Sequence, residues 1–353
     1  LDGDEFGICT SDKVEEDRVF DLAKILNDSF SEPFYTDEHV LYASLSIGIR
    51  FNEEGYLSLD DIMNQAEIAM YEVKQTGKSN YALYREEMSE SLMRRRELEE
   101  ELKGALERNE LYLVYQPKMM IATGACYGFE ALLRWKSEKR GFVSPEIFID
   151  IAEETGLIHS IGQFVIEEAC KFSTELNRSR ENKYKISVNV SAIQLLREDF
   201  MEKFLETIVK YQIQPQELEV EVTESVLMNY MESAVKKLRQ LFVLGIDIAI
   251  DDFGKGYSSL AYLKTLPVSV VKIDKLFVDD IIENEDLIIE DIIDIGHRMG
   301  LKVIAEGVEL KEQLDYLKDK NCDSIQGYYY SRPLMKEHLL QFLEQQEAKE
   351  VSD

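Results

Sequence analysis

Short apolar runs in this chain repeatedly carry, or end in, a side chain that could hold a cation or a phosphate. Gln116 closes VYQ, Glu130 and Arg134 lie in FEALLRW, and Asn189 lies in ISVNVS. Glu221 and Glu224 lie in LEVEVTES, Asp251 and Asp252 end GIDIAIDD, Lys272 lies in SVVKID, Glu306 and Glu309 follow LKVIA, and Gln326 lies in CDSIQG. Glu130, Asn189, Glu221, Asp251 and Asp252 are all hard oxygen donors, with no thiolate or histidine pair among them, so the set suits Mg²⁺ or Mn²⁺ before Zn²⁺. Adjacent aspartates can share two cations about 3.5–4 Å apart, one side chain bridging while its neighbour binds the second ion, an arrangement used for displacement at phosphorus. A single Asp-Asp pair is usually a solvated or capping pair; five donors on successive apolar runs are not.

Lys272 is flanked by Val270, Val271 and Ile273. An unpaired ammonium in so apolar a strand is costly, so it must face an acid or the site. Glu306 precedes Gly307, which permits close approach of backbone or ligand. Two tempting fragments fail. Asp252-Phe253-Gly254 lacks the catalytic loop and Gly-rich strand pair of a kinase, and Gly77-Lys78-Ser79 lacks the earlier glycine of a phosphate-binding loop. DFGKGYSS reads instead as a mobile loop over the site.

Elements that could bring these residues together follow from the pattern. Between most of the runs lie segments with apolar residues at spacings of three and four: SPEIFIDIAEETGLI with IGQFVIEEACKFSTEL, QLLREDFMEKFLETIVKY, MESAVKKLRQLFVLG, SSLAYLKTLP, DDIIENEDLIIEDIIDIGHRMG, KEQLDYLKDKN and KEHLLQFLEQQ. Gly245 and Gly300 suit left-handed helix ends. Strand–helix alternation over about 250 residues predicts an α/β fold, a TIM-like (β/α)8 barrel with chemistry at the C-terminal strand ends. Ahead of it, VLYASLSIGIRF reads as one strand, then LDDIMNQAEIAMYEVKQ as a helix and SNYALY as a short strand. EEMSESLMRRRELEEELKGALERNE, with Leu98, Leu102 and Leu106 at helical spacing, reads as a connecting helix. The boundaries predicted are 1–85 for a first, partial α/β domain, 86–105 for the connecting helix, 106–348 for the barrel and 349–353 for a tail.

The formal charge of −29, from 40 basic and 69 acidic residues, argues against a DNA or RNA polymer as partner, because such binding rests on neutralising phosphates. It leaves room for a small phosphate ligand, since charges beyond about 10 Å are screened and the local site decides. Cys9, Cys126, Cys170 and Cys322 lack metal or disulfide spacing and fit a reducing compartment. The chain opens inside what reads as a motif. Cytoplasmic domains of a bacterial protein are therefore expected, with room for a membrane segment upstream.

The barrel region resembles the EAL domain, the cyclic di-GMP phosphodiesterase family. EALLRW at 130–135, SVNVSAIQL, LEVEVTES, DDFGKGYSSL, VKIDKLFV, VIAEGVE and IQGYYYSRPL match its signatures in order. The resemblance implies hydrolysis of cyclic di-GMP to linear pGpG with two Mg²⁺ or Mn²⁺ ions. It implies Glu130, Asn189, Glu221 and Asp251 on one metal, Asp251 bridging to a second held also by Asp252, and Glu306 nearby. Lys272 and Glu306 would be catalytic, with Lys272 orienting the attacking water. Gln116, Leu132, Arg134 and Gln326 would bind substrate, Glu224 would brace the DDFGKGYSS loop, and two barrels would pair as a homodimer. Lys255 departs from the family, which usually has a small residue there. The runner-up reading is a catalytically silent cyclic di-GMP receptor that signals through the connecting helix.

The first 85 residues resemble the C-terminal part of a GGDEF domain, the diguanylate cyclase fold. Asp2-Gly3-Asp4-Glu5-Phe6 stands at its motif, and LSIGI and AMYEVKQTGKSNYALY match later segments, placing Lys74 and Lys78 at phosphate-contacting positions. Asp2 replaces a glycine, and an acid there repels triphosphate. The expectation is a degenerate, regulatory domain with GTP as its ligand, not a cyclase.

Overall fold

The computed structural model describes residues 3–9, 14–35, 40–52, 57–75, 80–224, 231–255, 265–283 and 288–350. Its backbone contacts divide the chain into two compact units, Leu1–Glu100 and Glu101–Asp353.

In the first unit, α1 (Glu16–Ser29) precedes an antiparallel pair, β1 (Phe34–Tyr35) and β2 (Val40–Leu41). Then β3 (Ser46–Ile49) and β4 (Asn80–Leu83) pair in parallel across α2 (Leu59–Gln75). Two parallel strands cannot be joined by a tight turn, and the helix supplies the crossover. Gly48 lets it lie close: a Cβ there would sit 1.8 Å from the Ala66 carbonyl oxygen. The single strand expected over 40–51 is two strands belonging to different sheets. Alternation alone does not reveal where the hydrogen-bonding partner changes.

In sequence, α3 (Glu86–Lys103) leads from the first unit to the second. Of its expected leucine face, Leu102 is buried and Leu98 half-buried, while Leu106, also half-buried, lies beyond the end of the helix. The barrel strands are β5 (Leu111–Met120), β6 (Cys126–Ser137), β8 (Lys185–Asn189), β9 (Leu218–Thr223), β10 (Asp247–Phe253), β11 (Val270–Ile273), β12 (Lys302–Ala305) and β13 (Ser324–Gln326). They close into a ring when β13 returns to β5, and β7 (Gly141–Val143) pairs outside it with β6. Six links from β6 round to β13 are parallel, whereas β5 runs antiparallel to both its neighbours. This corrects the expectation that the βα alternation begins at the first strand and that VYQ ends at Gln116. The five residues 121–125 are too few for a parallel crossover, so the chain reverses as a hairpin and β5 continues to Met120.

The surrounding helices are α4 (Pro145–Thr155), α5 (Ile158–Asn177), α6 (Ala192–Leu196), α7 (Phe200–Tyr211), α8 (Met231–Val243), α9 (Lys275–Glu283), α10 (Ile288–Arg298), α11 (Lys311–Asp319) and α12 (Lys336–Glu350). The expected single helix over QLLREDFMEKFLETIVKY is the pair α6 and α7. Most of the expected SSLAYLKTLP helix lies outside the described residues. Gly245 (φ +93°) and Gly300 (φ +75°) adopt the left-handed conformation expected of them.

Strand periodicity sorts the side chains into two sets. Phe129, Ile186, Val220, Val222, Ile248, Ile250, Val271 and Ile273 join the large core shared with the helices. The alternate residues point into the bore, where Ala249, Val270 and Ile304 form a small apolar cluster. Two residues further along the same strands come Asp251, Lys272 and Glu306. The pleat that plugs the bore with alkyl groups therefore delivers charged groups to its mouth.

A polar latch joins the rim to the turn after α3. Glu110 accepts hydrogen bonds from Arg108 Nε (2.9 Å) and from the indole Nε1 of fully buried Trp135 (3.0 Å). The Arg108 hydrogen bond holds the Glu110 carboxyl down at about 2. Glu110→Ala strands the buried indole N–H and should cost about 1–3 kcal/mol, read as a lower urea midpoint; an unchanged midpoint would show the latch to be idle.

Candidate active site

Lys272 stands at the centre of the site. β11 carries it into the bore one pleat above Val270, where it is 1 % exposed and touches four carboxylates. Its Nζ lies 2.5 Å from Glu221 Oε2, 2.7 Å from Glu306 Oε1, 3.1 Å from Asp251 Oδ1 and 3.7 Å from Glu130 Oε2. Burial disfavours the ammonium, but Asp251, Glu130, Glu221 and Glu306 outweigh it and raise Lys272 well above its ordinary value. It is charged at neutral pH.

The carboxylates respond unequally to this packing. Burial opposes ionisation of Glu221, yet Lys118 and Lys272 together hold it at about 2. Burial raises Glu130, and the neighbouring Glu221 adds to the effect. Burial also pushes Glu306 up to about 8, with Lys272 opposing and Asp251, Glu130 and Glu221 reinforcing. Acids this close cannot all ionise without added positive charge.

Register places the remaining residues. Gln116 lies opposite Glu130 across the β5–β6 pair, and Asn189 lies beside Glu221 across β8–β9. Asn189 Nδ2 donates to Glu130 Oε1 (2.7 Å), and Gln326 Nε2 donates to Gln116 Oε1 (3.1 Å) and to Glu130 Oε2. Gln116, Glu130, Asn189, Glu221, Asp251, Lys272, Glu306 and Gln326 thus form one connected cluster.

The side chains of four expected site residues turn elsewhere. Asp252, at φ +56°, directs Oδ1 to Lys255 (2.8 Å). Arg134 donates to the carbonyl of Leu133 (2.8 Å), and Leu132 is half-buried opposite Val114. Glu224 accepts from Gly254 N (3.1 Å), the start of the loop it was expected to brace. Residues 256–264 of that loop lie outside the described residues. Glu309 pairs with Lys275 (2.9 Å), away from the cluster. In the first unit, Lys74 faces Glu5 at 3.7 Å, while Asp2 and Lys78 lie outside the described residues.

A second buried cation went unnoticed in the sequence. Lys118 Nζ contacts Glu221 Oε1 (2.5 Å), Glu219 Oε1 (2.7 Å) and Ser187 Oγ (2.6 Å), all within the bore. Strand parity could have found it: Lys118 shares a face with Gln116, and Glu219 shares one with Glu221. Glu221 is therefore clamped on both oxygens, one to each lysine.

The donor set fits a hard cation. Oxygens of Glu130, Glu221 and Asp251 lie within 4.8 Å of one another. Ligation at about 2.1 Å would close that spacing with small shifts. Turning the Asn189 amide would present its oxygen in place of the Nδ2 that now faces Glu130. Glu221 is buried and clamped, and Asp251 is largely covered, so these ligands are held before any ion arrives.

A closed α/β barrel with an acidic, lysine-centred mouth defines a class built for charged-ligand chemistry at the strand ends. The EAL domain sequence model matches residues 99–333, and that of the diguanylate cyclase GGDEF domain matches residues 1–80. The chain belongs to the EAL domain family. It is 36% identical over 342 residues to the bifunctional diguanylate cyclase/cyclic di-GMP phosphodiesterase MucR of Pseudomonas aeruginosa, covering 96% of this chain and 50% of MucR. To the signaling protein YkoW of Bacillus subtilis it is 38% identical over 352 residues, covering 99% of this chain and 44% of YkoW. The chain thus spans about half the length of these curated relatives. The structure of the PaMucR phosphodiesterase in complex with c-di-GMP superposes with a TM-score of 0.67 at 39% identity, covering 69% of this chain and 99% of that one. An EAL domain protein from Listeria monocytogenes gives a TM-score of 0.62 at 35% identity, covering 69% and 96%.

The raised Glu306 has a consequence for stability in EDTA-treated protein. Between its unfolded value near 4.5 and its folded value of about 8, the folded state holds a proton that the unfolded state has released. Stability from this group is present below pH 4.5 and is lost as pH rises through 8. Glu306→Gln should flatten the decline in Tm from pH 5 to 8; an unaltered slope would show that Glu306 is not the titrating group.

Proposed function

We propose that the barrel hydrolyses cyclic di-GMP to linear pGpG with two Mg²⁺ or Mn²⁺ ions. The observation that carries the reading is the lysine-centred set of hard oxygen donors at the bore mouth. The likeness to relatives named as cyclic di-GMP phosphodiesterases supports the substrate. Water adds to phosphorus as the bond to ribose O3′ breaks, leaving the phosphate on the 5′ side. Glu130, Asn189, Glu221 and Asp251 would hold one cation and Asp251 with Asp252 the other; when bound, the ions supply charge stabilisation at the phosphoryl oxygens and acidify water.

The chain's own residues do the rest. Lys272, fixed among Glu221, Asp251 and Glu306, orients the attacking water and offsets negative charge as it develops. Glu306 lies 2.7 Å from Lys272, and with the added positive charge of bound cations favouring its ionised form it would take the proton that the water sheds. Gln116 and Gln326 are tied to each other, Gln326 also to Glu130, and Gln326 Oε1 is buried without a partner among the described residues, free to accept from a ligand. Arg134 supplies a cation for the substrate phosphate, beside Leu132. Glu224 holds Gly254 and so the base of the loop. Pairing of two barrels as a homodimer and GTP binding by the GGDEF-like unit complete the proposal. Among the described residues no helix is long and apolar enough to cross a membrane.

The direct test incubates purified protein with cyclic di-GMP and Mg²⁺ or Mn²⁺ and separates the nucleotides. Conversion to pGpG is expected, and Ca²⁺ should block it, because a larger ion with looser geometry positions water poorly. Binding without turnover under every cation would leave the silent-receptor reading, which the engagement of Asp252 by Lys255 favours. Asp251→Asn should lower kcat by at least about 10²–10³ with the fold intact by circular dichroism; near-wild-type turnover would remove Asp251 from the cation site.

A further inference from the structure

Lys255 is where this chain departs from the pattern it otherwise follows, and its contacts give the departure a role. Its Nζ lies 2.8 Å from Asp252 Oδ1 and 2.8 Å from Asp274 Oδ2. Both acids are held in place independently of the lysine. Asp252 sits in the left-handed region at φ +56°, and its N–H donates to Asp251 Oδ1 (2.9 Å). Asp274 is 7 % exposed, and its Oδ1 accepts from Leu276 N (2.9 Å) at the start of α9. The lysine and Asp252 are closed into one turn by the Lys255 N–H, which donates to the Asp252 carbonyl (3.3 Å). An ammonium on a short tether thus sits on the side chain expected to hold the second divalent ion.

We propose that Lys255 is a built-in competitor for the second cation. The claim rests on the two-cation reading above. A divalent ion reaching Asp252 must either displace the ammonium from two charge-assisted hydrogen bonds or bind beside a like charge. At the site bounded by Glu130, Asn189, Glu221 and Asp251 the neighbouring ammonium, Lys272, is a buried and fixed part of the bore, whereas Lys255 is an exposed ammonium added at Asp252. The outer ion therefore binds only when the cation concentration is high enough to displace Lys255 from Asp252. Lys255 is 46 % exposed, so its displacement uncovers no part of the core. In this chain the loop residue makes the outer cation the sensitive variable.

Binding of Mn²⁺ to the EDTA-treated full chain, followed by the electron paramagnetic resonance of free Mn²⁺, tests this without any turnover. Wild type should bind one ion tightly and a second more weakly. Lys255→Met should tighten the second ion by about tenfold or more and leave the first unchanged. Lys255→Arg, which keeps the charge, should retain the weak second ion. A second-ion affinity equal in wild type and Lys255→Met would overturn the competitor role while leaving two cations in place. Equal tightening by Met and Arg would also overturn it, since loop shape rather than charge would then be responsible. A single ion in every variant up to millimolar Mn²⁺ would overturn the two-cation reading and this inference with it.

Discussion

Charge balance inside a narrow bore is the constraint on which the rest of this structure depends. Seven of the eight barrel strands run parallel, and their inward faces would ordinarily be filled by aliphatic groups. Here one layer of the bore holds Lys118, Ser187 and Glu219, and the next holds Glu221, Lys272 and their acidic neighbours. Desolvating any of these charges alone would be severely unfavourable; together they satisfy one another through short hydrogen bonds. Glu221 is the hinge of that balance, since among the described residues it is the one carboxylate bonded to both lysines. Burial raises Glu130 and Glu306, and the neighbouring acids at the mouth, which outnumber the cations available to them, add to the effect. The site is held in a state that favours incoming positive charge.

Preorganisation follows from the same packing. The cluster sits above an apolar plug of Ala249, Val270 and Ile304, and its members lie on strands except Glu306, which directly follows β12. Residues at the outer edge of the mouth behave differently. Asp252 sits in an unusual backbone conformation and bonds to a loop lysine, and Glu224 meets the loop through a single backbone N–H. A rigid inner half and an adjustable outer half are thereby combined in one site.

Much of this was legible in the chain. Apolar runs ending in oxygen donors predicted a barrel and its reactive end, because strand periodicity and helix periodicity are local properties. The residues that cluster were named from their types and positions: Glu130, Asn189, Glu221, Asp251, Lys272, Glu306, Gln116 and Gln326. What the pattern hid was relational. The antiparallel course of β5 depends on the five-residue turn before β6, which was read as part of a βα alternation. Lys118 and Glu219 looked like ordinary strand residues until their shared parity with Gln116 and Glu221 brought them into the bore. The split of residues 40–51 into β2 and β3 depends on partner strands distant in sequence. Lys255 was visible as a departure, but its hold on Asp274 needed the spatial neighbourhood of β10 and β11.

The reversed first strand changes where force enters the molecule. In a regular barrel the chain arrives at the face opposite the reactive end. Here Leu111 pairs with Trp135, beyond the C-terminal ends of the parallel strands, so the chain arrives at the rim itself. From Leu111 to Gln116 is five residues, about 17 Å of extended strand. Tension on the segment before Leu111 would be borne as shear along the β5–β6 ladder, whose rungs include the Gln116–Glu130 pair. A pull or twist delivered through the backbone would therefore strain a rung of the site directly, with no relay through the barrel wall.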